Sequence, residues 1–247
     1  MTDIIILAAG KGTRMNSDLP KVLTPLNNKP MIHYLLDSIK KLELKTIPII
    51  VASPENYDQI KESLKDYDLR FAIQDRQLGT GHAVLSAKDE TSLQADKTLV
   101  LYGDHPFIKT ESIDKFINME VDTLNLLSVN LDNFSDWKKV FYHWGRLIRN
   151  GEGNLEKIVE FKDASDEVKE VTEVNPAIFN FNSKWLWDNI SNLDNQNKQE
   201  EYYLTDLVNL AFKQGSNINT ATIEPQEAMG VNSVKDLEVA KNINFNN

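Results

Sequence analysis

Four consecutive aliphatic residues, Ile4-Ile5-Ile6-Leu7, run directly into Ala8-Ala9-Gly10-Lys11-Gly12-Thr13-Arg14, and Lys21 follows shortly after. A run that is apolar at every position suits a strand buried on both faces, as in a parallel sheet covered by helices. The turn over residues 7–23 therefore leaves the end of a buried strand. Gly10 and Gly12 let the backbone approach a ligand closely, and successive N–H groups can form an anion-binding concavity. With Lys11, Arg14 and Lys21 converging on the same place, the segment reads as a phosphate cradle.

Two familiar glycine loops are excluded. A Walker A loop needs Gly-Lys-Ser/Thr at a fixed spacing, which does not occur here, and a dinucleotide fingerprint needs a third glycine where Met15 stands. A plain strand-to-helix turn with incidental lysines is the bland alternative. The regular placement of the cations behind the glycines argues against it.

The chain of 247 residues is long enough to bury a sizeable core and is compatible with one α/β domain. Its formal charge of −10 argues against a nucleic-acid partner, so anionic substrates must be held by a local cation cluster or a metal. There are no cysteines, which removes thiol catalysis, disulfides and cysteine zinc sites together. No signal-peptide pattern and no long apolar stretch is evident, so a soluble, cytoplasmic protein without a membrane partner is expected.

Residues 1–120 alternate short apolar runs with helical patterns, as a parallel α/β sheet does. Strands are expected at 4–8, 47–52, 70–74 and 98–102. Helices are expected where Ile32, Leu35, Leu36 and Ile39 form one face, and at 56–66, 81–88 and 110–119. The rhythm then changes to strands at 123–130, 145–149, 155–161 and 173–181. Helices return at 184–190 and 202–213, and a last one is expected from Ser233, fraying over the final Asn-Phe-Asn-Asn. The expected organisation is a nucleotide-binding half (1–120), a half for the second substrate (121–232) and a C-terminal helix (233–247).

Residues 74–83 read Gln-Asp-Arg-Gln-Leu-Gly-Thr-Gly-His-Ala, after a strand and at the opening of a helix. Side-chain amides offer both a donor and an acceptor, as a pyrimidine edge requires, and Gly79 and Gly81 permit close approach. Taken alone, the segment is also explained by a turn with a helix cap. Together with the glycine loop it resembles the bacterial N-acetylglucosamine-1-phosphate uridyltransferases, sugar-phosphate nucleotidyltransferases usually fused to an acetyltransferase. The pattern Gln-x-x-Gln-Leu-Gly-Thr-Gly-His-Ala is matched without a substitution.

That resemblance implies a Rossmann-like, glycosyltransferase A-like α/β fold with a mixed, mostly parallel central sheet flanked by helices. It implies the reaction of UTP with N-acetylglucosamine 1-phosphate, giving UDP-N-acetylglucosamine and pyrophosphate. Uracil recognition falls to Gln74, Gln77 and Gly79. Further nucleotide contacts fall to Thr80 and Gly81 and to Leu7, Ala8, Ala9, Gly10, Lys11, Gly12 and Thr13. Arg14 and Lys21 become the catalytic cations, with Lys11 on the leaving pyrophosphate. His82 is expected to pack or cap.

Leu99-Val100-Leu101-Tyr102-Gly103-Asp104 is an apolar strand ending in a carboxylate, a hard ligand suited to Mg²⁺ between phosphates. From the residues alone, Asp104 and Asn232 read equally well as helix caps. In the family the matching pair shares the metal, so Mg²⁺ on Asp104 and Asn232 is implied. Gly145, Glu160 and Asn175 are implied on the sugar side, although by themselves they read as strand polarity. Glu201-Tyr-Tyr-Leu-Thr-Asp206 also matches and is expected to be mostly structural, with Tyr202 or Tyr203 a candidate near the sugar.

Two departures bear on the acceptor. Residues 133–144 insert extra chain carrying Trp137, Phe141, Tyr142 and Trp144, expected as a packed or ligand-covering loop. Pro176 and Ala177 stand where the family usually has threonine or serine and then glycine, which alters the sugar pocket. Another acceptor, such as N-acetylmuramic acid 1-phosphate, therefore stays open, as does a catalytically silent nucleotide-binding subunit. No hexapeptide repeats are present, so acetyl transfer is not expected.

Overall fold

The aliphatic run forms β1 (Thr2–Leu7) inside the sheet of the computed structural model, which describes residues 1–15 and 17–242. Its side chains alternate between two cores. Ile5 and Leu7 face a layer with Val100, Phe179 and Leu207, whereas Ile4 and Ile6 face one with Leu35, Ile50 and Leu101. Each such side chain stabilises the fold by roughly 1.5–3 kcal/mol when fully buried; the one charge on the strand, the buried Asp3, accepts from Ser92 N at 2.7 Å and faces Arg70 at 3.8 Å.

A short hairpin of β2 (Pro25–Leu26) and β3 (Lys29–Pro30) leads into α1 (Met31–Lys40), which buries Ile32, Leu35, Leu36 and Ile39 as its spacing predicts. The alternation continues through β4 (Ile49–Ala52), α2 (Tyr57–Ser63), β5 (Arg70–Ile73), α3 (Thr80–Ser86), β6 (Lys97–Tyr102) and α4 (Thr110–Asn118). Strands β5, β4, β1 and β6 lie side by side in that order, all parallel. The chain thus adds β4 and β5 on one side of β1 and β6 on the other. Loops leaving the carboxyl ends of β1 and β6 diverge from this switch point, where open α/β sheets place ligands. Topology alone therefore brings the glycine loop and Asp104 together.

The remaining elements are β7 (Leu124–Asn130), β8 (Arg146–Arg149), β9 (Leu155–Val159), α5 (Asp166–Lys169), β10 (Glu173–Val174), β11 (Phe179–Asn182), α6 (Ser183–Asn189), α7 (Asp206–Lys213), β12 (Asn219–Thr222), α8 (Pro225–Ala228) and α9 (Val234–Asn242). Strand β11 inserts antiparallel between β6 and β7, and β10, β8 and β9 extend the sheet antiparallel from β7. The result is the expected mixed sheet flanked by helices.

Three expectations need correction. The strand expected over 173–181 is two strands separated at Asn175–Ile178, because Pro176 lacks a ladder donor and Ala177 turns to φ 60°. The helix expected from 202 starts at Asp206, since Tyr202 pairs its backbone with another loop instead. Strand β12, parallel to β7, was not anticipated; its sequence Asn-Thr-Ala-Thr has no apolar signal. The last helix forms as expected, while the fraying expected over 244–247 lies outside the described residues.

The aromatic insertion is packed. Phe141 is fully buried in a third core with Met15 of the glycine loop, Met31, Val129 and Val231, against which Trp137, Trp144 and, from α9, Leu237 and Val239 also pack. Among the described residues no helix is long and apolar enough to cross a membrane.

Candidate active site

Gly12 and Gly10 differ in what requires them. Gly12 has φ 61°, and a Cβ there would lie 2.8 Å from Lys21 Cβ and 3.3 Å from Lys21 Cα, so glycine lets Lys21 lie across the loop. A Cβ on Gly10 would meet nothing within 4 Å. The protein itself does not demand glycine at position 10. The loop's origin is braced by Asn56, whose Nδ2 donates to the Ala8 carbonyl at 3.0 Å, and by Gln77, whose Nε2 donates to the Ala9 carbonyl. Leu7, Ala8 and Ala9 are buried, whereas Lys11 and Arg14 are exposed. Lys21 opens a short 3₁₀ turn anchored by buried Val22 and Leu23.

Lys21 joins the two residues implied as metal ligands. Its Nζ donates to Asn232 Oδ1 at 3.0 Å and forms an ion pair with Asp104 Oδ2. Neither partner caps a helix. The residue preceding α4 is Lys109, far along from Asp104, and at α9 it is Ser233 Oγ that accepts from Asp236 N at 3.2 Å. Asn232 instead donates its backbone N–H to Asp236 Oδ2 at 2.9 Å, which leaves its side chain facing Lys21. Val231 N donates to the Asp104 carbonyl at 2.9 Å and holds the two segments in register.

Burial by itself would raise the Asp104 carboxyl, but the Lys21 ammonium and His105 outweigh it and hold the group below the usual carboxylate range. Asp104 Oδ1 is buried with no hydrogen-bond partner among the described residues. A carboxylate with one oxygen unpartnered, its other oxygen gathered with an amide oxygen about one ammonium, offers a donor set for a hard divalent cation. Among the described residues there is no cluster of three or more His, Cys, Asp or Glu able to hold a metal, so a cation here must complete its shell from phosphates or water.

Next to Asp104, His105 is sandwiched between Tyr102 and Trp144, each 5.9 Å away by ring centroid with interplanar angles of 27° and 21°. Gly230 closes the pocket, since a Cβ there would collide with His105 Nε2. Burial pushes the imidazole pKa down, and the Asp104 carboxylate opposes that shift. The inserted Trp144 thus covers the neighbour of Asp104, a contact with no local sequence signal.

In the 74–83 segment, Gln74 is buried and donates Nε2 to the Gly79 carbonyl at 3.0 Å, with His82 Nδ1 3.2 Å away. His82 is partly buried against this amide. Gly79 adopts φ 112° and lies so close to residue 202 that a Cβ would stand 2.6 Å from the Tyr202 carbonyl oxygen. Tyr202 N donates to the Leu78 carbonyl and Gly81 N to the Tyr202 carbonyl, both at 2.8 Å, while Leu204 N donates to Thr80 Oγ1 at 3.0 Å. Residues 202–205 form a strap across this loop.

The same strap reaches the acceptor residues, because Thr205 Oγ1 donates to Glu160 Oε1 at 3.0 Å. Burial raises the Glu160 pKa; the Thr205 bond opposes this, and Asp206, Asp163 and Glu201 add to it. A Cβ on Gly145 would meet Ile158 Cγ2 at 3.0 Å, its tightest contact, and would touch Glu160 Oε1 at 3.4 Å. Asn175 N donates to the Gly145 carbonyl at 2.9 Å, and its Oδ1 accepts from Ala177 N at 2.9 Å, which leaves the Nδ2 donor to be presented. Gly145, Glu160 and Asn175 are therefore neighbours. Arg146 is not among them: fully buried, it donates to the carbonyls of Trp144, Tyr142 and Lys169.

Residues 4–130 match the MobA-like NTP transferase domain. The chain belongs to this family. The chain is 38% identical over 241 residues to the bifunctional protein GlmU of Caldicellulosiruptor saccharolyticus, covering 96% of this chain and 50% of that protein. It is 41% identical over 232 residues to the GlmU of Dechloromonas aromatica, covering 94% and 49%. The chain thus spans about half the length of the curated relatives it matches. Its fold is that of a Bacillus anthracis protein assigned as a glucose-1-phosphate thymidylyltransferase, with TM-score 0.73, 18% identity and coverage of 100% of this chain and 98% of that one.

Proposed function

We propose that this NTP transferase is a uridyltransferase that joins UTP and N-acetylglucosamine 1-phosphate to form UDP-N-acetylglucosamine and pyrophosphate. The observation that carries the reading is the convergence of Lys21 from the glycine loop with Asp104 and Asn232 at the sheet's switch point. The unbroken Gln-x-x-Gln-Leu-Gly-Thr-Gly segment beside it favours uracil over other bases. Curated relatives named GlmU over nearly the whole chain support the same choice. A UTP-dependent transferase of this kind is read here as a cytoplasmic enzyme.

In this reading an oxygen of the sugar phosphate attacks the α-phosphorus of UTP, and the bond to the bridging oxygen breaks as pyrophosphate leaves with the electron pair. The attacking oxygen is already anionic near neutral pH, so no side chain has to remove a proton. The residues instead position the reactants and neutralise charge. Residues 7–13 hold the triphosphate, with Lys11 toward the departing pyrophosphate. Arg14 and Lys21 stabilise charge at the reacting phosphates. Asp104 and Asn232 would hold Mg²⁺, which when bound neutralises phosphate charge and orients the two phosphates.

On the base side, Gln74, Gln77 and Gly79 read uracil, with Thr80 and Gly81 beside them. Gln74 donates to the Gly79 carbonyl within its own loop, and Gln77 donates to the Ala9 carbonyl, which ties the base-reading loop to the phosphate loop. On the acceptor side, Glu160 accepts from a sugar hydroxyl and Asn175 donates to the N-acetyl carbonyl. Residues 1–120 and 121–232 then act as nucleotide and acceptor halves.

Pyrophosphate release measured with each of four nucleoside triphosphates against a panel of sugar 1-phosphates tests this function. Release confined to UTP with N-acetylglucosamine 1-phosphate is expected. Preference for CTP, or for N-acetylmuramic acid 1-phosphate, would overturn the assignment of base or acceptor. Nucleotide binding without release under any acceptor would leave a silent binding subunit.

A further inference from the structure

The aspartate in the first turn of α9 does something unusual for a capping residue. In Ser233-Val234-Lys235-Asp236 the serine caps the helix in the ordinary way, accepting from Asp236 N at 3.2 Å. The Asp236 carboxylate does not return to the Ser233 N–H, as a capping box would have it do. It reaches one residue further and accepts from the backbone N–H of Asn232 at 2.9 Å. That hydrogen bond to a charged acceptor is the stronger kind, and it restrains the backbone of Asn232 itself.

What the restraint achieves is visible one bond away. Asn232 Oδ1 stands 3.0 Å from Lys21 Nζ, and Lys21 Nζ also pairs with Asp104 Oδ2, so the two candidate ligand oxygens are gathered about one cation. Three devices hold Asn232 there: Val231 N on the Asp104 carbonyl, Gly230 pressed against His105, and the Asp236 carboxylate behind. Only the last comes from the helix. Leu237 and Val239 of the same helix pack into the core that contains Met15 and Val231, so the carboxylate has a fixed platform.

We propose that Asp236 is a positioning residue for divalent-cation binding: through the Asn232 N–H it fixes the amide oxygen that completes the site with Asp104, and α9 is thereby part of the active site. The proposal rests on the reading of Asp104 and Asn232 as metal ligands. Groups behind a metal ligand ordinarily account for 10- to 100-fold in metal affinity, roughly, when removed.

The test compares binding of UTP with binding of preformed Mn²⁺–UTP by calorimetry, taking the ratio of the two affinities as the metal-linked gain, in the full chain and four variants. Asp236→Ala is expected to lower that gain about tenfold while leaving metal-free UTP affinity unchanged, and Asp236→Glu is expected to restore part of it. Ser233→Ala removes the helix cap without touching the Asn232 N–H; it is expected to lower the melting temperature but not the gain. Asn232→Ala is expected to lower the gain at least as far as Asp236→Ala does. An undiminished gain in Asp236→Ala, with the gain reduced in Asn232→Ala, overturns the role of Asp236 and leaves the metal site standing. An equal loss in Ser233→Ala overturns it too, by showing a general effect of helix stability. An undiminished gain in Asn232→Ala overturns the metal reading itself.

Discussion

Lys21 Nζ and Asn232 Oδ1 lie 3.0 Å apart, and the same ammonium pairs with Asp104, so the lysine of the phosphate loop holds the position between the two oxygens proposed for the metal. A cation arriving there with its nucleotide has to displace that ammonium, which is then available to phosphate. Lys21→Met is expected to have two opposite effects. Mn²⁺ alone should bind the nucleotide-free variant more tightly than the parent protein, as read by loss of the free-ion EPR signal at pH 8. Turnover should fall roughly 10²–10³-fold, the scale on which removing one preorganised charge-stabilising group acts. Weaker Mn²⁺ binding in the variant would show that the lysine assists the metal rather than standing in for it.

Arg14 is exposed beside the same loop and makes no contribution to the core. Arg14→Ala should therefore melt within about 2 °C of the parent, as surface substitutions generally change stability by less than about 0.5 kcal/mol. Its pyrophosphate release should nevertheless drop by about 10²-fold or more. Near-normal release would remove Arg14 from the mechanism.

Gly79 is the point where the base-reading loop touches the strap. A methyl group there would stand 2.6 Å from the Tyr202 carbonyl oxygen and 2.7 Å from its nitrogen, both backbone atoms that cannot rotate away, and φ 112° is itself unfavourable for alanine. Gly79→Ala is expected to cost about 1–3 kcal/mol of stability and to weaken UTP binding. Because the strap also carries Thr205 to Glu160, the KM for the sugar phosphate should rise with it. Calorimetry with UTP, a thermal melt and steady-state kinetics with the sugar phosphate check these in turn; a shift in UTP affinity without any shift in acceptor KM would uncouple the strap from the sugar pocket.

Glu160 and Asp104 respond to pH in opposite senses. Asp104 is held below its ordinary value, so its pairing stabilises the fold above the unfolded pKa and that contribution is lost as acid protonates it. Glu160 is raised, so its folded form favours the proton; stability is fully present below the ordinary carboxylate value and declines as pH rises through the raised one. Glu160→Gln keeps the Thr205 hydrogen bond and removes the titration. The variant should melt above the parent at pH 7–8 and converge with it near pH 4, while its acceptor KM rises. Equal melting temperatures across pH 4–8 would show that the carboxylate carries no penalty.

What was legible in the chain was local. The aliphatic run of β1, the apolar face of α1 and the glycine loop each announce themselves within a few residues, because burial on both faces, helical spacing and close backbone approach are properties of short segments. The break in the expected 173–181 strand was missed, although Pro176 is a local signal for it; the left-handed Ala177 carries no such signal. Asp104 and Asn232 lie far apart in the chain; the order β5-β4-β1-β6 explains why Asp104 meets the glycine loop, and the Val231–Asp104 hydrogen bond ties the Asn232 segment to it. Tyr202 looked helical because its partner, Leu78, is far away in sequence. The stack of His105 on the inserted Trp144 had no signal at all beyond an excess of aromatic residues.

Arg146 shows why the insertion cannot be read as a loose cover. The guanidinium is fully buried, donates to Tyr142 O at 2.8 Å, to Lys169 O at 3.0 Å and to the Trp144 carbonyl, and lies 4.6 Å from the Phe134 ring centroid. Burial lowers its pKa, and the nearby Tyr142 and Glu170 oppose the shift. The guanidinium is thus the peg around which residues 134–144 fold, and through Trp144 it supports His105 and the Asp104 loop. Arg146→Ala leaves three carbonyls without their donor, each costing about 1–3 kcal/mol if it stays dry. At about 2–4 °C per kcal/mol for a chain of this size, the melting temperature should fall by on the order of 10 °C. Arg146→Lys should recover little, because a single ammonium cannot span the carbonyls that the planar fork reaches. A thermal melt decides it, with near-UV circular dichroism reporting Trp144; an Arg146→Ala protein that melts within about 2 °C of the parent with an unchanged tryptophan signal would show that the insertion packs without its peg.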